Sequence, residues 1–242
     1  MTVLALPRLL AFTDTENYPR PAERLAPLLH AAPPRSIAVV VRDRQQEPAA
    51  RFALAQELAA CCRSANQRLW LATADQGGAD QGAAEQGGAE GGSAEGGSAE
   101  QGGDLALAES VGAEGLHLAG RGPSALPLRA AAPLRPISRA WHVGDAWSDE
   151  ELGALSAVVI SPVCEARKGR QPLGLDGFEA VSTQLRARAP RLGTYALGGV
   201  GALHLAELLA RGATGLAAIG AAHADDCSGL VEALRLSRSF PS

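Results

Sequence analysis

The segment that decides the fold spans residues 36–75, where SIAVVVRD (36–43) is followed by EPAARFALAQELAACCRSA (47–65) and RLWLATAD (68–75). Two short apolar runs flank a longer stretch of helical composition. Continuous apolar runs are typical of parallel strands that are covered on both faces. The segment therefore predicts a strand–helix–strand unit of a parallel sheet.

The same alternation extends over the whole chain. Strand candidates begin at Leu9, Ser36, Arg68, Gly115, Arg135, Ala157, Thr194 and Gly215. Helical segments lie between them, except in the region 122–134, which is too rich in proline to predict a helix. Eight such units predict an α/β protein with a (β/α)8 TIM barrel, in one domain over residues 1–242. A doubly wound open sheet is the alternative, although no G-x-G-x-x-G turn follows the first strand.

The composition excludes several classes of protein. The 242 residues are 46% hydrophobic, 20% charged and only 4% aromatic. No Lys/Arg-rich stripe is present, so we expect no nucleic-acid partner. No apolar run approaches the roughly 20 residues that cross a bilayer, and the first residues lack a secretory signal pattern; we expect no membrane partner and a cytoplasmic location. Cys61, Cys62, Cys164 and Cys227 form no C-x-x-C pair, which predicts free thiols.

A low-complexity insert follows the third strand candidate. From Gln76 a five-residue unit repeats, and residues 76–103 hold 11 of the 28 glycines. Without the five acidic residues of this segment, the formal net charge of −4 would become +1. A period of five matches neither a helix nor a strand, and the Gly-, Gln- and Ser-rich composition buries little apolar surface, which predicts a disordered loop. A charged tether for a partner is the alternative interpretation.

Glycines follow the last two strand candidates. Gly198 and Gly199 come after the seventh, and Ile219 and Gly220 after the eighth. In TIM barrels the loops after these two strands often bind phosphate, because glycines let backbone N–H groups approach the anion. The sequence therefore predicts a phosphate site at these four residues, and ordinary turn glycines are the alternative.

Several motifs occur in a familiar order, among them GAEGLHL (112–118), SPVCEARKGRQPLGLDGF (161–178) and LGGV (197–200). In this order the chain resembles the thiamine phosphate synthase/TenI family over nearly its whole length. The resemblance implies a compact (β/α)8 barrel that binds thiazole phosphate. Such a protein either joins thiazole phosphate to hydroxymethylpyrimidine diphosphate with Mg²⁺ or, in the TenI branch, tautomerises a carboxythiazole phosphate.

The resemblance implies substrate-binding roles for Arg42, Arg44 and Asp75, of which Asp75 is also the candidate metal ligand. The chain departs from the family at neighbouring positions, with Val40 in place of a Gln and Ala74 in place of an Asn. Mg²⁺ prefers several hard oxygen ligands. A single carboxylate supports a metal site weakly, so we expect no cofactor unless the protein is a synthase, which would need Mg²⁺.

The resemblance also implies two catalytic residues, His142 and Lys168. His142 matches the histidine that the tautomerase branch uses as acid and base, a role suited to a group that titrates near neutrality; simple packing beside Trp141 is the alternative. Lys168 is the only lysine in the chain and would bind phosphate as a point charge. A solvated loop lysine is the alternative.

Three functions follow from this pattern. The glycines of the phosphate end are retained, whereas the polar side chains of the diphosphate end are partly lost, which favours TenI-like tautomerisation of a carboxythiazole phosphate. A divergent thiamine phosphate synthase is the first alternative. A non-catalytic family member that binds a phosphorylated metabolite or has a regulatory role is the second. In each case the expected small-molecule partner is phosphorylated, and a thiazole phosphate is the leading candidate.

Deleting residues 76–103 is expected to leave folding intact, because loop-closure entropy changes only slowly with loop length. Urea unfolding of the deletion variant and of the full chain, followed by circular dichroism, measures the difference. We expect free energies of unfolding within about 1 kcal/mol of each other. A much larger loss of stability would contradict the interpretation of this segment as a loop.

Overall fold

The computed structural model describes residues 5–43, 45–73, 96–167 and 169–239, and within 96–102 it describes the backbone alone. Eight parallel strands form a closed barrel in which β8 pairs with β1. The strands are β1 (Leu9–Phe12), β2 (Ile37–Val41), β3 (Arg68–Ala72), β4 (Gly115–Leu118), β5 (Ile137–Trp141), β6 (Ala157–Ile160), β7 (Gly193–Ala196) and β8 (Gly215–Ala218). The TIM barrel is confirmed, and closure of the sheet excludes the open alternative.

Helices follow the strands and cover the outside of the barrel. They are α1 (Pro21–Ala31), α2 (Pro48–Ser64), α3 (Gly96–Val111), α4 (Leu126–Ala131), α5 (Asp149–Ala154), α6 (Gly174–Arg188), α7 (Ala202–Ala210) and α8 (Ser228–Leu236), with short 3₁₀ turns at Gly220–Ala222 and Ser237–Ser239. In the described part of the chain, no helix has the length and apolar character needed to cross a membrane. The four cysteines are free thiols, as predicted.

Two helix predictions need correction. The short helix α4 lies in the proline-rich region for which no helix was predicted. It forms there because Pro127 occupies its first turn, where a missing N–H is tolerated. Helix α3 begins at Gly96, inside the segment predicted to be disordered. Its later residues Ala108 and Val111 are buried in the core, and extension of a helix from an anchored part costs little once it has nucleated.

The remainder of the predicted insert, residues 76–95, lies outside the described residues. A deletion over 76–103 therefore also removes about two turns of α3, whereas a deletion over 76–95 leaves the described helix complete.

The barrel interior is filled by alternate side chains of the strands. Leu10, Val40, Trp70, Val159 and Tyr195 belong to one buried cluster, separate from the larger cluster between strands and helices. Trp70 is fully buried. A side chain on the neighbouring strand would collide with it, since a Cβ built on Gly115 lies 2.5 Å from Trp70 Cε2. The alternation of inward- and outward-facing side chains continues past the strand ends, and it determines which residues face the mouth of the barrel.

A buried ion pair fixes the loop after β4 near this mouth. Arg139 on β5 pairs with Glu151 on α5, and both side chains are at most 10% exposed. Glu151 also accepts hydrogen bonds from Ser124 Oγ (2.6 Å) and from the backbone N–H of Ala125 (2.7 Å). Arg139 donates to the carbonyl of Ala119 at 3.2 Å. These bonds join β5, α5 and the loop between β4 and α4, and they leave both charges compensated.

Candidate functional site

A cavity of about 490 Å³ opens at the C-terminal ends of β7 and β8. The structure brings together in its wall all four residues of the predicted phosphate site, Gly198, Gly199, Ile219 and Gly220. The wall also contains Tyr18, which the sequence did not single out. This end of the barrel is where TIM-barrel proteins carry their active sites.

The loop after β7 depends on glycine for its shape. Gly198 and Gly199 have φ values of +100° and +68°, in the left-handed region that favours glycine. The loop after β6 packs directly against it, with the N–H of Cys164 donating to the carbonyl of Gly198 at 2.8 Å. A Cβ built on Gly199 lies 2.8 Å from the backbone nitrogen of Glu165. The shape of the turn therefore requires these glycines, and phosphate binding by the loop stays a prediction.

Backbone donors line this part of the cavity. Among the described residues, no acceptor lies within hydrogen-bond distance of the N–H groups of Gly199 and Val200, and both residues belong to the wall. Helix α7 begins just beyond them, so the positive end of its dipole lies nearby. The next N–H, of Gly201, donates to Nδ1 of His204 at 3.3 Å. The N–H groups of Gly199 and Val200 therefore remain available to a ligand.

Tyr18 and His223 form an aromatic pair beside the Gly220 turn. Their rings are stacked, with centroids 4.9 Å apart and an angle of 9° between the planes. His223 is 2% exposed, and its Nε2 donates to the carbonyl of Phe12 at 3.1 Å. Burial lowers the pKa of His223. The imidazole is therefore neutral near pH 7 and supports the ring of Tyr18 without carrying charge.

A separate cluster of polar side chains lies at the mouth of the barrel, in the loops after β1 and β2. Arg42 Nη2 is 3.2 Å from Oδ2 of Asp14, and both residues continue the inward-facing positions of their strands. The next residue, Asp43, is buried and accepts from the N–H of Thr15 at 2.7 Å and from its hydroxyl at 2.6 Å. Asp43 therefore ties the two loops together, whereas Arg42 carries a charge to the mouth.

His142 lies past the end of β5, away from the cavity wall. Its Nδ1 is 3.0 Å from the carbonyl of Ser161, and its backbone N–H donates to Asp145 at 2.9 Å. The ring is half-buried, and the alternation that starts from the inward-facing Ser138 directs it toward the mouth of the barrel. The structure does not place it beside Gly199 and Gly220 in the described cavity.

Three predicted residues, Arg44, Asp75 and Lys168, lie outside the described residues. In the part of the chain that the structure describes, no group of three or more His, Cys, Asp or Glu side chains is arranged to hold a metal ion. Cys164, near the cavity, is a poor nucleophile: burial, followed by the carboxylates of Glu165 and Glu207, raises the pKa of its thiol.

The closed parallel barrel, with its candidate site at the C-terminal ends of the strands, defines a (β/α)8 barrel protein. Residues 102–222, half of the chain, match the family model described as thiamine monophosphate synthase. The chain therefore belongs to the thiamine phosphate synthase/TenI family, as the motifs of its sequence predict.

Individual relatives agree with this assignment. The chain is 28% identical to the thiamine-phosphate synthase of Listeria monocytogenes serotype 4b over 142 residues, which cover 57% of this chain and 65% of the relative. Among solved structures, thiamine phosphate pyrophosphorylase from Pyrococcus furiosus matches with a TM-score of 0.64 at 17% identity, covering 95% of this chain and 94% of the other. TrpF from Jonesia denitrificans matches with a TM-score of 0.54 at 17% identity, over 99% and 100% of the two chains. The structural matches establish the fold alone.

Gly199→Ala is expected to destabilise the protein by about 1–3 kcal/mol, because the left-handed backbone and the contact with Glu165 both oppose a side chain. Urea unfolding measures the difference. Gly153→Ala is the matched control: Gly153 lies in α5 with open space around it, so its free energy of unfolding should stay within about 1 kcal/mol of the wild type. Equal stability of the two variants would show that the Gly199 loop is not constrained as described.

Proposed function

We propose that the protein is a thiamine phosphate synthase, which joins hydroxymethylpyrimidine diphosphate to thiazole phosphate. The description of the matching family model and the name of the Listeria relative support this activity more than the tautomerisation that the sequence favoured. The observation that carries the proposal for this chain is the cavity at the ends of β7 and β8, with the N–H groups of Gly199 and Val200 in its wall.

The cavity suits the phosphate of the thiazole substrate. Backbone N–H groups at the start of a helix are donors with a favourable dipole, and together they stabilise an anion. Gly199 and Val200 supply the donors, Gly198 gives the loop its turn, and Ile219 and Gly220 form the facing wall. In this proposal the phosphate anchors the thiazole at the mouth, with its ring directed toward the barrel axis.

The diphosphate of the second substrate requires cations. As the bond between the two rings forms, the bond to the diphosphate breaks, and the diphosphate leaves with the electron pair. Arg42 is oriented at the mouth by Asp14, and a guanidinium stabilises the charge of a leaving diphosphate through charge-assisted hydrogen bonds. Arg44 and Asp75 remain predicted substrate-binding residues, and Lys168 remains a predicted catalytic residue that would bind phosphate as a point charge.

Magnesium would supply further neutralisation of the departing diphosphate when bound. The described residues do not by themselves form a site for it, because the two carboxylates at the mouth already have partners. Asp14 pairs with Arg42 and accepts a hydrogen bond from Asn17. Asp43 accepts hydrogen bonds from Thr13 and Thr15. Asp75 remains the predicted ligand of such an ion.

Purified protein with both substrates and Mg²⁺ is expected to form thiamine phosphate, detected by liquid chromatography and mass spectrometry. Arg42→Gln should lower kcat/KM for the diphosphate substrate about 10- to 100-fold, since it removes a hydrogen bond to a charged group. Arg63→Gln, which changes an exposed arginine on α2, is the control and should leave kcat/KM unchanged. No thiamine phosphate from the wild type would overturn the proposed synthase activity.

The geometry of His142 keeps tautomerisation as a second candidate function. A carbonyl only accepts hydrogen bonds, so the contact with Ser161 favours the tautomer that carries its proton on Nδ1, in which Nε2 has a lone pair. Such an imidazole takes a proton from one atom and returns it to another. In this hypothesis His142 is the acid and base, and the glycine loops again hold the phosphate.

NMR of carboxythiazole phosphate with the protein follows relocation of the substrate proton. If the protein is a tautomerase, His142→Ala should slow the conversion about 100-fold or more, whereas His30→Ala, at an exposed position on α1, should not. A wild-type rate equal to that in buffer would exclude this function. If both assays are silent while thiazole phosphate raises the Tm, the non-catalytic alternative is supported instead.

A further inference from the structure

The ring of Tyr18 is held in one orientation between two distant parts of the chain. Its backbone N–H donates to the carbonyl of Asp14 at 2.8 Å, which fixes the loop after β1. Its ring stacks on His223, which is anchored in turn by the carbonyl of Phe12. A side chain held on two sides loses little rotamer freedom when a ligand binds.

The hydroxyl of Tyr18 lies over the Gly220 turn, inside the wall of the cavity. A Cβ built on Gly220 would be 2.9 Å from Oη of Tyr18 and 3.8 Å from its Cζ, and nothing else lies within 4 Å of it. Among the described residues, this hydroxyl has no hydrogen-bond partner. A phenol O–H is a donor whose direction adjusts by rotation. Tyr18 therefore adds a side-chain donor to the backbone N–H groups of Gly199 and Val200, in a wall that also contains Arg167 and His204.

We propose that Tyr18 is a further ligand-binding residue, whose hydroxyl donates a hydrogen bond to an oxygen of the phosphate monoester held by the glycine loops. The proposal rests on the proposed phosphate site. The loop after β1 thereby contributes to a site whose other residues follow β6, β7 and β8. The absence of a side chain at Gly220 is what leaves room for the hydroxyl.

The role of Tyr18 is binding and not bond making. An interaction made equally in the ground state and the transition state changes KM and leaves kcat unaltered. Tyr18→Phe keeps the stacked ring and removes only the oxygen, so it should not disturb His223. Its effect should appear in the affinity for phosphate.

Isothermal titration with inorganic phosphate and with thiazole phosphate measures this affinity. Tyr18→Phe should raise the Kd for both about tenfold, because a hydrogen bond to a charged group is lost. Tyr195→Phe is the matched control, since it removes the other tyrosine hydroxyl, which is buried and donates to the carbonyl of Pro7 at 2.6 Å. That change is expected to lower the Tm and leave the Kd for phosphate unaltered.

A double-mutant cycle tests the contact with Gly220. Gly220→Ala should weaken phosphate binding in the wild type, since the added methyl group displaces the hydroxyl of Tyr18. In the Tyr18→Phe background the same change should weaken it much less, because the hydroxyl is already absent. Fully additive effects of the two substitutions would contradict the proposed geometry.

The outcomes separate this inference from the proposed function. If the wild type binds thiazole phosphate and forms thiamine phosphate while Tyr18→Phe has the wild-type Kd and KM, the role of Tyr18 is wrong and the synthase stands. If phosphate binding depends on Tyr18 but no thiamine phosphate forms, Tyr18 is correct and the synthase is overturned. No binding of either phosphate compound by the wild type would overturn the phosphate site and Tyr18 together.

Discussion

The barrel accommodates the indole of Trp70 because Gly115, on the neighbouring strand, has no side chain. This contact fixes which residues of β3 and β4 face the axis of the barrel. Because all eight strands pair in parallel around the closed barrel, the register of each strand then determines which of its residues face inward and which face outward. Continued beyond the strand ends, the alternation directs Arg42 and His142 to the mouth. The packing of the interior thus determines the positions of the polar residues on which any activity of the barrel depends.

Sequence patterns predicted the strands well because most of them are short apolar runs buried on both faces. The helices were harder to predict where the local composition and the tertiary packing favour different structures. Proline suggested a break in the region of α4, yet it is acceptable in a first turn. Glycine-rich repeats suggested disorder up to residue 103, yet α3 extends back from its buried residue Ala108. In both cases the decisive contacts are made outside the segment itself.

The site was predictable where it is made of backbone. Glycines after a strand mark positions that need unusual φ values or close approach, and this signal is local. Tyr18 was missed because its significance comes from a ring 205 positions away in the chain, His223. His142 is not among the residues of the cavity wall, and its ring donates instead to the carbonyl of Ser161. Contacts between residues that are far apart in the chain produce no periodic pattern in the sequence.

The contrast between backbone donors and side-chain donors bears on how this site could change over evolutionary time. Every residue except proline supplies a backbone N–H, so the donors of Gly199 and Val200 depend on the loop conformation that the glycines allow and not on particular side-chain chemistry. A side chain at the mouth, such as Arg42, is lost through a single codon change. The two ends of the site are therefore constrained differently: the phosphate end by the glycines that set its backbone conformation, and the opposite end by individual side chains, whose replacement can change the ligand without changing the loop.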